Sequence, residues 1–449
     1  MTGQNPESKI PTARQLAVEQ LNRIELGGAY VGLVGGEGLD VLDPRGERQV
    51  TEYVAGVTRW RRWLDFLIGH FYRGKFNKME PTLKQILRVG LYDLLFLDTP
   101  PHAALNEAVA TAKRLVRPGA GGLVNGILRS VVRQKERLPT PSTGDTADDL
   151  AVRYSHPTWL VRRWLDRFGS EETEALLQWN NERPVYGLRY VDNTEEGFKT
   201  LLDDEGIAWE PSRYLDDFVR VQRLQALLRA GWVEEGRCAV QDESGGLVVR
   251  LLDPQSGETL VDGCAAPGSK ALYAANRMQN QGRLLAFDAH AGRLYLADVA
   301  AEAQGISILH TEAIDLRDLA RRDDRPQADR VLLDVPCSGL GVLSKRADLR
   351  WRRTADEIRA LTVLQDQLLD AAAGLVRPGG LLVYSTCTIE PDENQRRVEA
   401  FLARRTDFHL ESAEGFVPEA VVTPEGYLAT FPHRHHIDGA FGARLRKKE

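Results

Sequence analysis

Three segments of this chain end an apolar run in a turn and carry side chains able to do chemistry. Leu260-Val-Asp-Gly-Cys-Ala-Ala-Pro-Gly-Ser-Lys270 joins small residues to a lysine. Asp334-Val-Pro-Cys-Ser-Gly339 sets Cys337 just beyond a carboxylate, and Tyr384-Ser-Thr-Cys-Thr388 carries Cys387. In an open α/β sheet the carboxyl ends of the strands form one rim, where ligands bind. If each run is a strand, a cofactor loop, a carboxylate and two thiols share one cleft. A thiolate can add to C6 of a cytosine or uracil ring and make C5 nucleophilic enough to take a methyl group. An acid near N3 would stabilise the electron density left on the ring, and Asp334 suits that place. The attacking sulfur needs a depressed pKa or a nearby base, and Lys270 could supply positive charge. A lone strand-end cysteine reads as buried and inert; two on neighbouring strand ends, one after Asp-x-Pro, read as a reactive pair. The residues alone leave open which of the two attacks.

The small residues Cys264, Ala265, Ala266, Pro267, Gly268 and Ser269 let a ligand approach the backbone closely, and a helix begins just after them. Its first N–H groups would face acidic atoms such as a carboxylate. The loop is not G-x-G-x-x-G, so a nicotinamide reading loses its main support. Asp288 ends the next apolar run, where an acid commonly accepts both ribose hydroxyls. Asp315 follows the third run and could receive an adenine amino group. Singly, each acid reads as a helix cap; one per strand end, they read as a nucleoside pocket.

These side chains need a frame to hold them. From about Arg237 to Glu449, runs at Thr259–Asp262, Arg283–Asp288, 306–310, Arg330–Asp334, Gly380–Ser385 and Gly439–Leu445 alternate with alanine-rich helical segments. That alternation predicts a doubly wound, mainly parallel sheet. Residues 12–136 instead repeat apolar positions at i, i+3, i+4 and i+7, as in the runs from Trp60 and Leu83, and predict a helical bundle. Leu138-Pro-Thr-Pro-Ser-Thr-Gly is a linker by composition. Beyond it, 157–181 reads as helix, followed by a short α/β stretch with strands at 186–191 and 218–221.

At 449 residues the chain is too long for one core. Four cysteines without a C-x-x-C argue against a structural metal, and His433, His435 and His436 read as a surface loop. Met1–Ile10 lacks the build of a signal peptide, and no apolar run reaches the ~18 residues needed to span a bilayer. Free thiols in a reducing cytoplasm are therefore expected. The net charge of −6 excludes a globally basic binder, yet residues 1–140 hold 20 Lys+Arg against 14 Asp+Glu. Arg59 to Arg88 sharpens this to eight basic against two acidic residues, with Arg61 and Arg62 inside it. Such a basic module points to a polyanion contact. Arg346, Arg350, Arg352 and Arg353, with Trp351 among them, follow the Cys337 loop and suit phosphate grip and base stacking.

Cys264 to Lys270, Asp334 to Gly341, Tyr384 to Asn394 and Asp438-Gly-Ala-Phe-Gly-Ala-Arg444 resemble the motif series of the RNA 5-methylcytosine methyltransferases. Gln241-Asp-Glu-Ser244 resembles the segment leading into that family's catalytic domain. Val89-Gly-Leu-Tyr-Asp-Leu-Leu, Pro100-Pro-His-Ala-Ala-Leu-Asn-Glu107 and Gly122-Leu-Val-Asn-Gly-Ile-Leu-Arg129 resemble the NusB-like RNA-binding domain of the RsmB (Sun/Fmu) family of 16S rRNA cytosine-C5 methyltransferases. The likeness runs over nearly the whole chain. It implies a multidomain fold: an all-α NusB-like bundle at 1–140, a linker, helices and small ferredoxin-like or RRM-like α/β domain at 141–236, and a Rossmann-like methyltransferase domain at 237–449. It implies S-adenosylmethionine held by Cys264 to Lys270, Asp288, Asp315 and Asp334. It also makes Cys387 the nucleophile, with Cys337 aiding product release. The expected partner is 16S rRNA, met by a cytoplasmic monomer without membrane or DNA contact.

Ser269 stands where that family usually has a second glycine; if the position needs positive φ, serine costs on the order of 1 kcal/mol. Two other readings compete: a non-catalytic RNA-binding assembly factor, and the same chemistry on tRNA or another rRNA cytosine.

Overall fold

The computed structural model describes residues 11–28, 38–191 and 195–449, so Met1–Ile10 lies outside the described residues. Two compact units form, one of residues 1–181 with 346–352, the other of 182–345 with 353–449.

In the first unit, helices run over Ala13–Gly27, Pro44–Phe71, Pro81–Phe96, Pro101–Leu115, Ala120–Arg133, Thr146–Arg153 and Thr158–Trp179. Prolines open three of them, where the missing N–H costs nothing and the fixed φ is already helical. Their apolar stripes (Leu64, Leu67 and Ile68 on one helix, Ile86, Leu87 and Leu91 on another) close into one core. A polar anchor sits inside it. The buried Asp93 carboxylate accepts hydrogen bonds from Tyr53 Oη at 2.7 Å, Arg14 Nε at 2.6 Å and Thr99 Oγ1 at 2.9 Å.

Residues 346–352 are part of this unit, and they correct the expected RNA grip. Arg350 is fully buried, its guanidinium donating to Ser155 O at 3.2 Å, Asn180 O at 2.9 Å and Asn181 Oδ1 at 2.8 Å. Trp351 Nε1 donates to Thr58 O at 2.7 Å, and Arg61 lies 4.2 Å over the indole ring. Arg62 is likewise taken up, donating to His156 O, Thr158 Oγ1 and Asp148 Oδ1, each at 2.8 Å. A fully buried guanidinium aimed at internal carbonyls presents no face to a phosphate, so Arg350 holds the fold, while Arg62, 27% exposed, is braced by its three partners. Arg352 donates to Gly28 O at 2.8 Å, whereas Arg346 is exposed.

The second unit holds two sheets. β1 (Tyr186–Tyr190), β2 (Trp209–Pro211), β3 (Phe218–Val221) and β4 (Cys238–Val240) form an antiparallel sheet in the order β2-β3-β1-β4, with the helices Glu195–Asp204 and Leu224–Arg229 in its connections. This is the small α/β element expected. The helices of 141–181, however, group with the bundle. The large sheet contains β5 (Thr259–Asp262), β6 (Arg283–Asp288), β7 (Leu309–Ala313), β8 (Ala328–Asp334), β9 (Val376–Thr386), β10 (Phe408–Glu411), β11 (Leu428–Thr430) and β12 (Ala440–Lys447). Its order is β10-β12-β9-β8-β5-β6-β7, with β11 on β12. β5 to β9 pair in parallel, while β12 runs antiparallel to β9 and β10. Val331, Leu332 and Leu333 of β8 and Leu381 to Tyr384 of β9 are wholly buried, as parallel strands covered on both faces must be.

β7 begins three residues later than the apolar run 306–310 suggests, because pairing with β6 sets its register from Leu284↔Leu309 to Asp288↔Ala313. β5, β6 and β7 progress one way, and β8 and β9 lie on the other side of β5. The topology therefore reverses between β5 and β8, which opens a crevice at their carboxyl ends.

Arg350→Met should lower the unfolding free energy of the helical unit by roughly 2–4 kcal/mol, since buried carbonyls lose their donor. Thermal denaturation reads that loss, while the salt dependence of RNA affinity should stay that of the parent.

Candidate active site

β5 ends in Asp262, and the chain turns through Gly263 to Ser269 into the helix Ser269–Arg277. Gly268 is the residue with left-handed backbone, φ +107°, and a Cβ there would lie 2.4 Å from Ala297 Cβ. Ser269 is already helical, so the feared serine penalty does not arise; the strained position carries the glycine it needs. Asp288, at the end of β6, accepts Ala266 N–H at 3.1 Å and His290 N–H at 2.9 Å, which fixes its carboxylate beside the loop. Asp315 caps the short helix Leu316–Leu319, and Arg317 holds both its oxygens, at 3.0 and 2.7 Å. The half-buried Cys264 thiol is pushed well above the usual range by burial and then by Asp262.

β8 and β9 deliver the reactive groups side by side, Asp334 pairing with Ser385 in the ladder. Asp334 Oδ2 takes Lys270 Nζ at 2.7 Å, and Oδ1 takes Ser385 Oγ at 2.8 Å. Burial lowers the pKa of Lys270, but Asp334, helped by Cys387 and Asp262, outweighs it and raises the ammonium's pKa. Cys337 and Cys387 face each other with sulfurs 3.2 Å apart. Their environments separate them. Cys387 is held below the ordinary thiol value, chiefly by the hydrogen bond from Cys337, with Lys270 also favouring the thiolate. Cys337 is pushed well above that value by the same hydrogen bond and by burial.

Several residues that sequence reasoning did not single out hold these turns. Buried Glu393 accepts Ser338 N–H at 2.8 Å and Gln365 Nε2 at 3.0 Å, which clamps the turn after Cys337. Asn394 receives Thr386 Oγ1 at 2.6 Å and donates to Thr388 O at 2.9 Å, bracketing Cys387. Arg353 Nε donates to Ser338 O at 2.9 Å, which ties it to the turn after Cys337. Asp262, buried beside Asp334 and Lys270, is pushed up to about 7 by burial and by Asp334. The signal for Asp262 was available, since it ends a strand before a turn as Asp288 does. Among the described residues no group of three or more His, Cys, Asp or Glu could hold a metal.

Known proteins bear directly on this cleft. Residues 249–446 match the family described as 16S rRNA methyltransferase RsmB/F, residues 11–133 the NusB family, and residues 156–227 the ferredoxin-like domain of RsmF/B-like methyltransferases. The probable ribosomal RNA small subunit methyltransferase B of Bacillus subtilis is 35% identical, over 98% of this chain and 100% of its own. The protein of that name from Synechocystis is 36% identical over 97% and 99%. The chain belongs to the RsmB family. It is accordingly an S-adenosylmethionine-dependent RNA methyltransferase with a NusB-type helical domain. The crystal structure of PH0851 superposes with a TM-score of 0.81 at 28% identity, covering 98% of this chain and 99% of that one. NSun6 from Pyrococcus horikoshii, solved with SFG, shares the fold at a TM-score of 0.58 and 22% identity, covering 65% and 98%.

The donor set suits the cofactor. A loop whose glycine turn leaves the backbone open, a carboxylate at the end of β6 and the N-terminus of the following helix offer complementary groups to a ribose and an amino acid. Gly268→Ala should weaken binding of an unreactive cofactor analogue by about tenfold or more, while Ser269→Gly leaves it nearly unchanged, as titration calorimetry would measure. Alkylation of Cys387, followed by peptide mass spectrometry, should reach half its plateau below the ~8.5 of an ordinary thiol. Cys337→Ala removes the hydrogen bond that favours the thiolate, so the midpoint should rise.

Proposed function

We propose that this enzyme methylates C5 of a cytosine in 16S rRNA through a transient bond between Cys387 and C6 of the ring. The observation that carries the reading is the thiol pair at 3.2 Å on the rim that also bears the Lys270–Asp334 ion pair. The relatives' printed names, ribosomal RNA small subunit methyltransferase B, support the substrate.

The flipped cytosine enters the crevice after leaving its stack, at a cost of a few kcal/mol. The Cys387 thiolate bonds to C6, and the C5=C6 electron pair moves onto the ring. Asp334, kept in place by Ser385, takes up the Lys270 proton and donates it in a hydrogen bond to N3, steadying that charge; the proton returns to Lys270 when the adduct breaks down. S-adenosylmethionine, which Cys264 to Lys270, Asp288, Asp315 and Asp334 would hold, would supply an electrophilic methyl group for C5, its S–CH3 bond breaking to leave the neutral thioether. The hydrogen bond that chiefly raises the Cys337 thiol is gone once Cys387 is bonded to carbon. Cys337 then sheds its proton to solvent and accepts the C5 proton. The C6–S bond breaks, C5=C6 re-forms and Cys387 leaves as thiolate.

Within this reading 1–140 grips RNA, 141–236 supplies linker helices and the small α/β domain, and 237–449 performs the chemistry. Arg346, which is exposed, and Arg61, at the bundle's Trp351, serve as RNA contacts, with Arg352 beside them. The enzyme acts as a cytoplasmic monomer on RNA rather than DNA; no helix among the described residues is long and apolar enough to cross a membrane.

Incubation with labelled S-adenosylmethionine and unmodified small-subunit rRNA should place 5-methylcytosine in that RNA. Label in tRNA alone would move the substrate, and no label would leave an RNA-binding scaffold. Cys337→Ala should accumulate a covalent RNA adduct resistant to denaturing gels, and Cys387→Ala should form none; the reverse pattern would exchange the two thiols' roles.

A further inference from the structure

Behind the thiols lies a second charged cluster with no part in the chemistry described so far. Lys345 Nζ makes an ion pair with Asp242 and another, at 2.9 Å, with Asp438. All three side chains are largely enclosed. The three come from separate places in the chain. Asp242 caps the helix Glu243–Leu252 through Ser244 N–H at 2.9 Å, Lys345 ends the loop that leaves Cys337, and Asp438 precedes β12. Asp438 N–H also donates to Asp242 Oδ1 at 3.2 Å, so backbone and side chain both join the clasp.

From the clasp, a run of backbone hydrogen bonds leads to the nucleophile. Gly439 N–H donates to Gly341 O at 2.8 Å, and Gly341 N–H donates to Cys387 O at 3.1 Å. The contacts leave no slack, since a Cβ on Gly341 would lie 2.4 Å from Gly439 O and 2.8 Å from Cys387 O. Lys345 and Asp438 therefore bracket the two glycines, Gly341, which bonds the Cys387 carbonyl, and Gly439, which bonds Gly341, each within four residues of one of them. We infer that Lys345 is a positioning residue for the nucleophile: by binding Asp242 and Asp438 together it holds Gly341 and Gly439 against the Cys387 turn and offsets the carboxylate charge behind the sulfur. This rests on the reading that Cys387 is the nucleophile.

Electrostatics point the same way. Asp438 is close enough to Cys387 for its charge to disfavour the thiolate. It is itself pushed up to about 7 by burial and by Asp242, against the pull of Lys345. The other groups that bear on Cys387 are Cys337, Asp334 and Lys270. Removing the ammonium leaves two enclosed carboxyls with less compensation and a net more negative surrounding. The Cys387 midpoint should then rise. Asp438→Asn keeps a hydrogen-bonding partner for Lys345 but removes the negative charge, so it should lower the midpoint. A role confined to packing would not move the two in opposite directions.

The test compares Lys345→Met, Lys345→Arg and Asp438→Asn with the parent in the full chain. Lys345→Met should lower kcat for RNA methylation about tenfold or more, with KM for RNA and the affinity for an unreactive cofactor analogue near those of the parent. The alkylation midpoint of Cys387 should shift upward in Lys345→Met, return towards the parent in Lys345→Arg and fall in Asp438→Asn. Parent-like kcat and midpoint in Lys345→Met would overturn the inference. So would a parallel loss of kcat, cofactor affinity and melting temperature, or midpoints that move the same way in Lys345→Met and Asp438→Asn. Because alkylation needs no RNA, the underlying reading fails separately: Cys387→Ala would then keep its methylation activity.

Discussion

A thiolate is poorly tolerated among carboxylates, and this cleft is lined with them. Asp262, Asp288 and Asp334 all end strands on one rim, because a nucleoside-binding sheet offers its ligand acids there. A sulfur anion on the neighbouring strand end is repelled by Asp334. Two groups relieve that conflict: the Lys270 ammonium on Asp334, and the Cys337 thiol donating to Cys387. One unit of positive charge among acids and one hydrogen bond aimed at sulfur both favour the thiolate at Cys387 over that at Cys337. Lys270 does this from the first turn of the helix that follows the Gly263–Gly268 turn, so in the proposed reading donor binding and nucleophile activation share one short stretch of chain.

The sheet order explains why these groups can meet. Asp262 and Asp334 end adjacent parallel strands on either side of the reversal between β5 and β8, and Ser385 stands opposite Asp334 in the next ladder. Side chains 51 and 64 residues from Asp334 in sequence thus come within hydrogen-bond reach of it. Glu393 and Asn394, just beyond β9, return to brace both cysteine turns. The rim is a set of strand ends, and its precision comes from buried polar residues one layer below.

Much of this was legible in the sequence. The apolar runs Val331-Leu-Leu and Leu381-Leu-Val could only be covered strands, and the turn after each carried its cysteine, so the rim followed. Thr259–Asp262 and Arg283–Asp288 formed as expected because their flanking Gly and Asp residues mark clear stops. The edge was harder. β7 took its register from β6, a pairing that local hydrophobicity does not encode, and β2, β4 and β11 are three residues each, too short for an alternating pattern. Charge misled most. Arg350 reads as surface because arginine usually is, yet helix-end carbonyls gathered from Ser155 and Asn180 made a buried place for it. No local feature of the segment around Trp351 announces partners almost two hundred residues away.

That distant partnership bears on how the polypeptide matures on the ribosome. The first 181 residues emerge early and can collapse around Asp93 and their apolar stripes. Their last members, Arg350 and Trp351, are translated only after most of the second unit's strands. Until then, the carbonyls of Thr58, Ser155 and Asn180 must rely on water. The helical domain is thus completed by a piece of chain that arrives late, directly behind Cys337, which makes its final consolidation a checkpoint on synthesis having passed the first catalytic turn.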